Sequence, residues 1–268
     1  MFTFGPWVPG CGSNADDGRA NFGACVKRGN GMSKDTVKVA EKTIEAVLGE
    51  FLEEQAKRLK PSTMRRYESI VSLFQSFLDG YGSQDLGKQE DAFFERLYNA
   101  RGDEHREFCQ IFGPEKIPGN VAEFLDYFMV RKVMCGKDLM RAAGTVMKKL
   151  GKWLEEKGYV KSEYAVQIVR HGAAAVRELP ATEELAQMLY HYASSTAVDC
   201  DDVIEDYFTI DEVEPGKLHL SALSGDEQIV VPVSRDISDA SRVGWSISGA
   251  MGRKGKDWRI LEAWNVYP

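Results

Sequence analysis

Residues 199–210 read DCDDVIEDYFTI, and the hydrophobic period changes inside them. Upstream, apolar side chains recur every three to four residues, which is the spacing of one face of a helix. From Tyr207 onward they come in short alternating runs, the spacing of one face of a strand. A chain that is helical before this point and stranded after it is α+β. The spacing predicts two domains: an all-α helical bundle over 33–196 and a small five-stranded, β-barrel-like domain over 207–268. An acidic linker over 197–206 joins them.

Working toward the C-terminus, the runs are Tyr207-Phe208-Thr209-Ile210, Lys217-Leu218-His219-Leu220 after Pro215-Gly216, and Gln228 to Val233. Val243 to Ile247 is a fourth, and Trp258 to Leu261 together with Trp264, Val266 and Tyr267 makes the fifth. Five short strands in so few residues suggest a partly open barrel. Arg253-Lys254-Gly255-Lys256 reads as a hairpin tip, either solvated or contacting phosphate. Trp245, Trp258 and Trp264 are core residues or base-stacking platforms. Asp199, Asp201, Asp202, Glu205 and Asp206 are a solvated linker or a divalent-ion site, but they lack the Gly turn and closing Glu of a calcium loop.

Working toward the N-terminus, Ala40, Ile44, Val47, Leu48, Phe51 and Leu52 line the first helix. Pro61 stops it, because the residue before a proline is pushed out of helical geometry. Ser62 or Thr63 is expected to cap the second helix, whose core stripe is Tyr67, Ile70, Val71, Phe74, Phe77 and Leu78. An irregular insert over 83–118 carries two short helices. Asn120 with Glu123 reads as a capping pair for a third long helix through Phe128. A fourth runs from Lys137 to Lys157 with Gly158 as its C-cap. Two more are expected near 162–178 and 182–195. Residues 1–32, rich in Gly and Asn and lacking either period, read as a disordered extension.

The run Phe51-Leu52, Leu59-Lys60-Pro61-Ser62-Thr63, Arg66-Tyr67, Val71, Phe74, Phe77-Leu78 and Gly82 resembles the start of the core-binding domain of tyrosine recombinases, the phage-type integrases. Ala122-Glu123-Phe124-Leu125 and the ending Leu150, Trp153-Leu154-Glu155-Glu156-Lys157-Gly158-Tyr159 are similar to its third and fourth helices. The resemblance spans about residues 36–160. It implies a helical bundle that clamps one face of duplex DNA. The family's catalytic domain has no counterpart here. The chain has no His-x-x-Arg, since His171 is followed by Arg only at Arg177, and its last 88 residues hold seven basic side chains. Phosphodiester transfer needs several cations at the scissile phosphate. The expectation is therefore a non-catalytic protein, not an enzyme.

Charge is distributed unevenly. Residues 32–180 carry 24 Lys and Arg against 23 Asp and Glu, whereas residues 181–268 carry 7 against 16. The whole chain has a net charge of −7, which excludes a uniformly basic nucleic-acid binder. Within the helical part, Arg141, Thr145, Lys148 and Lys152 fall at i, i+4, i+7 and i+11, predicting one stripe opposite the core, flanked by Lys137 and Lys149. Lys60, Ser62, Thr63, Arg65 and Arg66 gather at the start of the second helix, where backbone N–H groups favour phosphate. Arg131 and Lys132 end the third. These residues are the candidate DNA contacts; the alternative is that they merely solvate exposed faces.

No window reaches the 18 or so apolar residues of a membrane span. Five widely spaced cysteines read as reduced thiols in a cytoplasmic protein. His105 and Cys109 are a half-buried pair or two metal ligands. The chain has no phosphate-binding Gly-rich loop with Lys and no Gly-x-Ser-x-Gly elbow, so no cofactor is expected. The resulting expectation is a DNA-associated protein that takes duplex DNA through the helical part, while the acidic β part contacts a protein partner or self-associates. A protein–protein adaptor without DNA binding is the alternative. A hydrolase or metal enzyme would need a cleft that the sequence does not advertise.

Overall fold

The computed structural model describes residues 37–133, 136–194, 200–225 and 228–268. The expected N-terminal extension and linker residues 197–199 lie outside the described residues. Helix α1 (Ile44–Ala56) is capped by the Thr43 hydroxyl, which accepts from the Ala46 N–H at 3.3 Å, and it buries Ile44, Val47, Leu48 and Phe51. Ala40 lies ahead of the helix, with its N–H on the Ile111 carbonyl. Helix α2 (Pro61–Tyr81) buries all six residues of its predicted stripe. Neither Ser62 nor Thr63 caps it. Proline is pre-shaped for the first helical position and brings no N–H needing a partner, so the helix starts at Pro61 with Lys60 as the cap.

The insert folds as two short helices, α3 (Lys88–Tyr98) and α4 (Phe108–Ile111). The next helix begins at Ile117 rather than at Asn120. It comprises α5 (Ile117–Glu123), a π-helical turn (Phe124–Phe128) and α6 (Met129–Arg131). Asn120 is buried inside it and donates to the Lys116 carbonyl at 2.8 Å, so it is not a cap. Phe124 meets Phe74 edge-on, with centroids 5.0 Å apart. Helix α7 (Lys137–Glu156) ends as expected at Gly158, whose φ of +73° lies in the left-handed region. The Tyr159 N–H reaches the Leu154 carbonyl and the Gly158 N–H that of Glu155, the paired bonds of a Schellman motif.

One helix, α8 (Ser162–Ser194), replaces the two expected after residue 161. Pro180 sits within it and removes one backbone donor. Leu179, Pro180 and Thr182 are all buried, and the Thr182 hydroxyl donates to the Leu179 carbonyl at 3.0 Å. Packing on both sides of the proline holds the helix together where isolated propensity would end it. The N-terminal half of α8 packs on α7 at backbone contact. A Cβ on Gly172 would lie 2.6 Å from the Lys148 nitrogen, and one on Gly144 would lie 2.6 Å from the Gly172 carbonyl oxygen. Its C-terminal half, through Leu185, Ala186, Leu189 and Ala193, joins the core of the sheet.

That sheet is antiparallel and comprises β1 (Asp202–Glu214), β2 (Lys217–Ala222), β3 (Gln228–Pro232), β4 (Ser246–Lys254) and β5 (Asp257–Tyr267), in the order β3-β2-β1-β4-β5. It is open: no ladder joins β3 to β5, so the closed form of the expected barrel is absent. Two features explain this. The edge strand β3 is only five residues long and ends in Pro232, which has no N–H for a ladder. In addition, Leu185 and Leu189 of α8 share one core with Phe208, Ile210, Leu220, Ile247, Met251 and Ile260, so a helix covers the apolar face that closure would otherwise bury. Strand β1 starts at Asp202, so the second half of the expected linker is strand. The strand expected from Val243 begins at Ser246, after Gly244 turns at φ +89°. A short helix α9 (Arg235–Ala240), capped by Ser234, follows β3.

Candidate nucleic-acid interface

The corner between α1 and α2 carries Lys60, Ser62, Arg65 and Arg66, all exposed, with Thr63 half-buried. The end of α1 adds Lys57 and Arg58, which sequence reasoning passed over. Their signal was present: Lys-Arg-Leu-Lys-Pro puts three cations immediately ahead of the helix break. A groove of about 290 Å³ runs from this corner to the C-terminal half of α7 and is lined by Glu54, Gln55, Arg58, Lys149, Lys152, Trp153 and Glu156. The fold thus brings two of the candidate α7 lysines beside Arg58 at the end of α1. Phe51 fixes that approach by stacking on Tyr67 at 6.1 Å and meeting Trp153 edge-on at 5.4 Å.

Acidic residues beside the groove are partly consumed. Glu54 accepts from Lys157 and, at 2.8 Å, from the Trp153 indole N–H. The Lys157 hydrogen bond holds its carboxyl below the usual range. Glu50 is likewise lowered by Lys42, 2.8 Å away, and by the Tyr159 hydroxyl at 2.7 Å. Among the described residues, Lys57, Arg58, Lys60, Arg65, Arg66, Lys149 and Lys152 form no ion pair.

The remaining candidates lie elsewhere. Lys137 pairs with Glu184 of α8 at 3.2 Å, and Arg141 with Asp138 at 3.3 Å. The predicted Arg141–Thr145–Lys148–Lys152 stripe is not an open face opposite the core. Thr145 and Lys148 are half-buried, because α8 covers the side of α7 that an isolated helix would leave to water. Arg131 donates to the Tyr207 hydroxyl and lies 5.9 Å over the Tyr127 ring, where it ties the helical part to β1; Lys132 beside it is exposed.

In the sheet, the two suspected charged sites neutralise one another. Arg253 pairs with Asp202 at 3.1 Å, and the Gly255 N–H donates to Asp201 at 2.9 Å. Asp206 accepts from both the N–H and the hydroxyl of Ser224, at 2.8 and 2.6 Å. Trp245 and Trp258 are core residues. Trp264 is 47% exposed and donates to Glu262 at 2.9 Å.

His105 precedes α4, the helix that carries Cys109, and it bonds the Tyr98 carbonyl and Glu107. The Cys109 thiol is buried, and burial pushes its pKa up. No group of three or more His, Cys, Asp or Glu suited to a metal exists among the described residues. None of the described helices is long and apolar enough to cross a membrane. Comparison with family models, with curated proteins and with solved structures gives no match to this chain.

Proposed function

We propose that this chain is a non-catalytic DNA-associated protein whose helical part, a recombinase-like core-binding domain, holds the backbone of duplex DNA along the α1–α2 corner and the α1–α7 groove. The observation that carries this reading is the set of exposed cations converging there from three helices without ion-pair partners among the described residues. Cations not committed to internal carboxylates are available to replace the counterions of a phosphate backbone. The helical part and the acidic sheet act as two domains in this reading. The sheet, in the last 88 residues with 7 basic against 16 acidic side chains, repels DNA and serves partner contacts or self-association.

The test is fluorescence anisotropy of the full chain with a random duplex of about 25 base pairs over a salt series. The expected outcome is micromolar binding whose log affinity falls linearly with log salt. The combined change Arg65→Glu, Lys149→Glu and Lys152→Glu should lower the slope by about 0.9 for each phosphate left without its cation. Reversal at Lys137 and Arg141, already paired internally, should have a smaller effect. Absence of binding even at low salt would leave the adaptor reading, for which exposed Trp264 and Val203 on the sheet are the features to test.

A further inference from the structure

Helices α7 and α8 run antiparallel with their backbones in contact: Gly144 meets Val176, and Gly151 meets Ile168 and Val169. A Cβ on Gly144 would lie 3.0 Å from a Val176 methyl, and one on Gly151 would lie 3.3 Å from a Val169 methyl, so each valine is seated over a glycine of the facing helix. Each of these valines is followed in sequence by an arginine, Arg170 and Arg177. The two arginines share one stripe of α8, about 10.5 Å apart along its axis. Both are exposed, whereas Ile168, Ala175 and Leu179 on the opposite flank are buried. On α7, Lys148 and Lys152 likewise lie on the flank opposite buried Leu150 and Leu154. The Ser162 hydroxyl of α8 donates to Glu155 of α7, which brings the outward flanks of the two helices onto one face. Among the described residues, Lys148, Lys152, Arg170 and Arg177 form no ion pair. Of the acids nearby, Glu155 is held by Ser162, Asp138 by Arg141 at 3.3 Å, and Glu163 stands at the exposed start of α8.

We infer that the duplex-binding surface continues over α7 onto the N-terminal half of α8, where Arg170 and Arg177 are further contacts to the phosphate backbone. The inference rests on the duplex reading above and widens its footprint to a fourth helix. Two ranks of cations, Lys148 with Lys152 and Arg170 with Arg177, flank a seam whose outward side carries the half-buried Val169, Ala173 and Val176. None of these three is long enough to hold a polyanion off, so one strand laid across the seam meets both ranks. Lys152 also lines the α1–α7 groove, which makes the two surfaces continuous. A single carboxylate or a free phosphate would satisfy one or two of these cations. Charges spread over about 10 Å on two helices suit a ligand that repeats its phosphates, and the arginine fork donates two N–H groups to one phosphate.

The test is the affinity of the full chain for the same random duplex over a salt series, with circular dichroism as the check on folding. The double change Arg170→Glu and Arg177→Glu should lower the slope of log affinity against log salt by about 1.8, or about 0.9 for each of two phosphates. An added cation on the seam should act in the other direction. Ala173→Lys should raise the slope by about 0.9, whereas Gln167→Lys, exposed on the flank of α8 turned away from α7, should leave it unchanged. If wild type binds and the changes at Arg65, Lys149 and Lys152 weaken it while the α8 reversals leave the slope unmoved, the extension onto α8 is wrong and the corner and groove stand. If wild type binds no duplex even at low salt, both readings fall together. Should the double reversal not fold, the two lysine additions decide, and equal slopes for Ala173→Lys and Gln167→Lys would overturn the inference.

Discussion

Tyr267, one residue from the C-terminal end of the chain, shows how a single buried atom sets a local cost. Its hydroxyl is buried and has no well-formed hydrogen bond among the described residues, although the Arg131 guanidinium, which donates to Tyr207, lies close enough to act on it. Burial, and then the phenol of Tyr207, raise its pKa to about 12, so it stays neutral. A buried unsatisfied hydroxyl costs about 1–3 kcal/mol. Tyr267→Phe should therefore leave stability unchanged or raise it by about 1 kcal/mol in urea unfolding, with the Tyr127 stacking kept. A loss above about 1 kcal/mol would mean that the hydroxyl has a partner in solution. Gly172 is the opposite case. An added Cβ would meet the Lys148 nitrogen at 2.6 Å and the Gly144 oxygen at 2.7 Å, both backbone atoms that cannot swing aside. Gly172→Ala should destabilise by at least the 1–3 kcal/mol typical of overpacking, measured in the same unfolding experiment; an unchanged midpoint would refute the close seam.

Among the elements, α8 decides most of the architecture. Its 33 residues, about 50 Å of helix at 1.5 Å each, serve first the core of the bundle and then that of the sheet. Leu189, fully buried among strand residues, is therefore part of the sheet's core although it belongs to a helix. Leu189→Ala should cost about 2–5 kcal/mol and lower amide protection in β1 and β4 before it affects α2. If protection falls first in the bundle, the assignment of this half-helix to the sheet is wrong. The stripe of α2 was legible because six apolar residues at helical spacing admit only one buried face. The union of 162–178 with 182–194 was not, since Pro180 is a local stop signal overridden by burial of Leu179 and Thr182. The start at Ile117 was obscured for a similar reason: Asn120 and Glu123 match a capping pair, yet Asn120 is satisfied within the helix.

On the scale of the whole molecule, charge and topology part company. The excess of acid after residue 181 and the near balance before it follow from counting alone. In the proposed DNA-bound state, a field of that asymmetry would orient the chain with the sheet away from the duplex, and the cost of reversing Arg65, Lys149 and Lys152 would belong to this scale because no single pair carries it. Of the candidate interface, the corner residues Lys60 to Arg66 were readable because their exposure depends on one helix start. The surroundings of Arg131, Lys137 and Lys148 were not readable, because they depend on Tyr207, Glu184 and Gly172, which are distant in sequence. By itself the sequence determined the α+β class, the buried stripe of α2 and the turns at Gly158, Gly216 and Gly255, since periodicity and backbone freedom act over a few residues. Only the tertiary structure decided that α8 is continuous, that the sheet stays open and which cations face water. Those outcomes rest on what packs against each surface, and that partner lies tens of residues away along the chain.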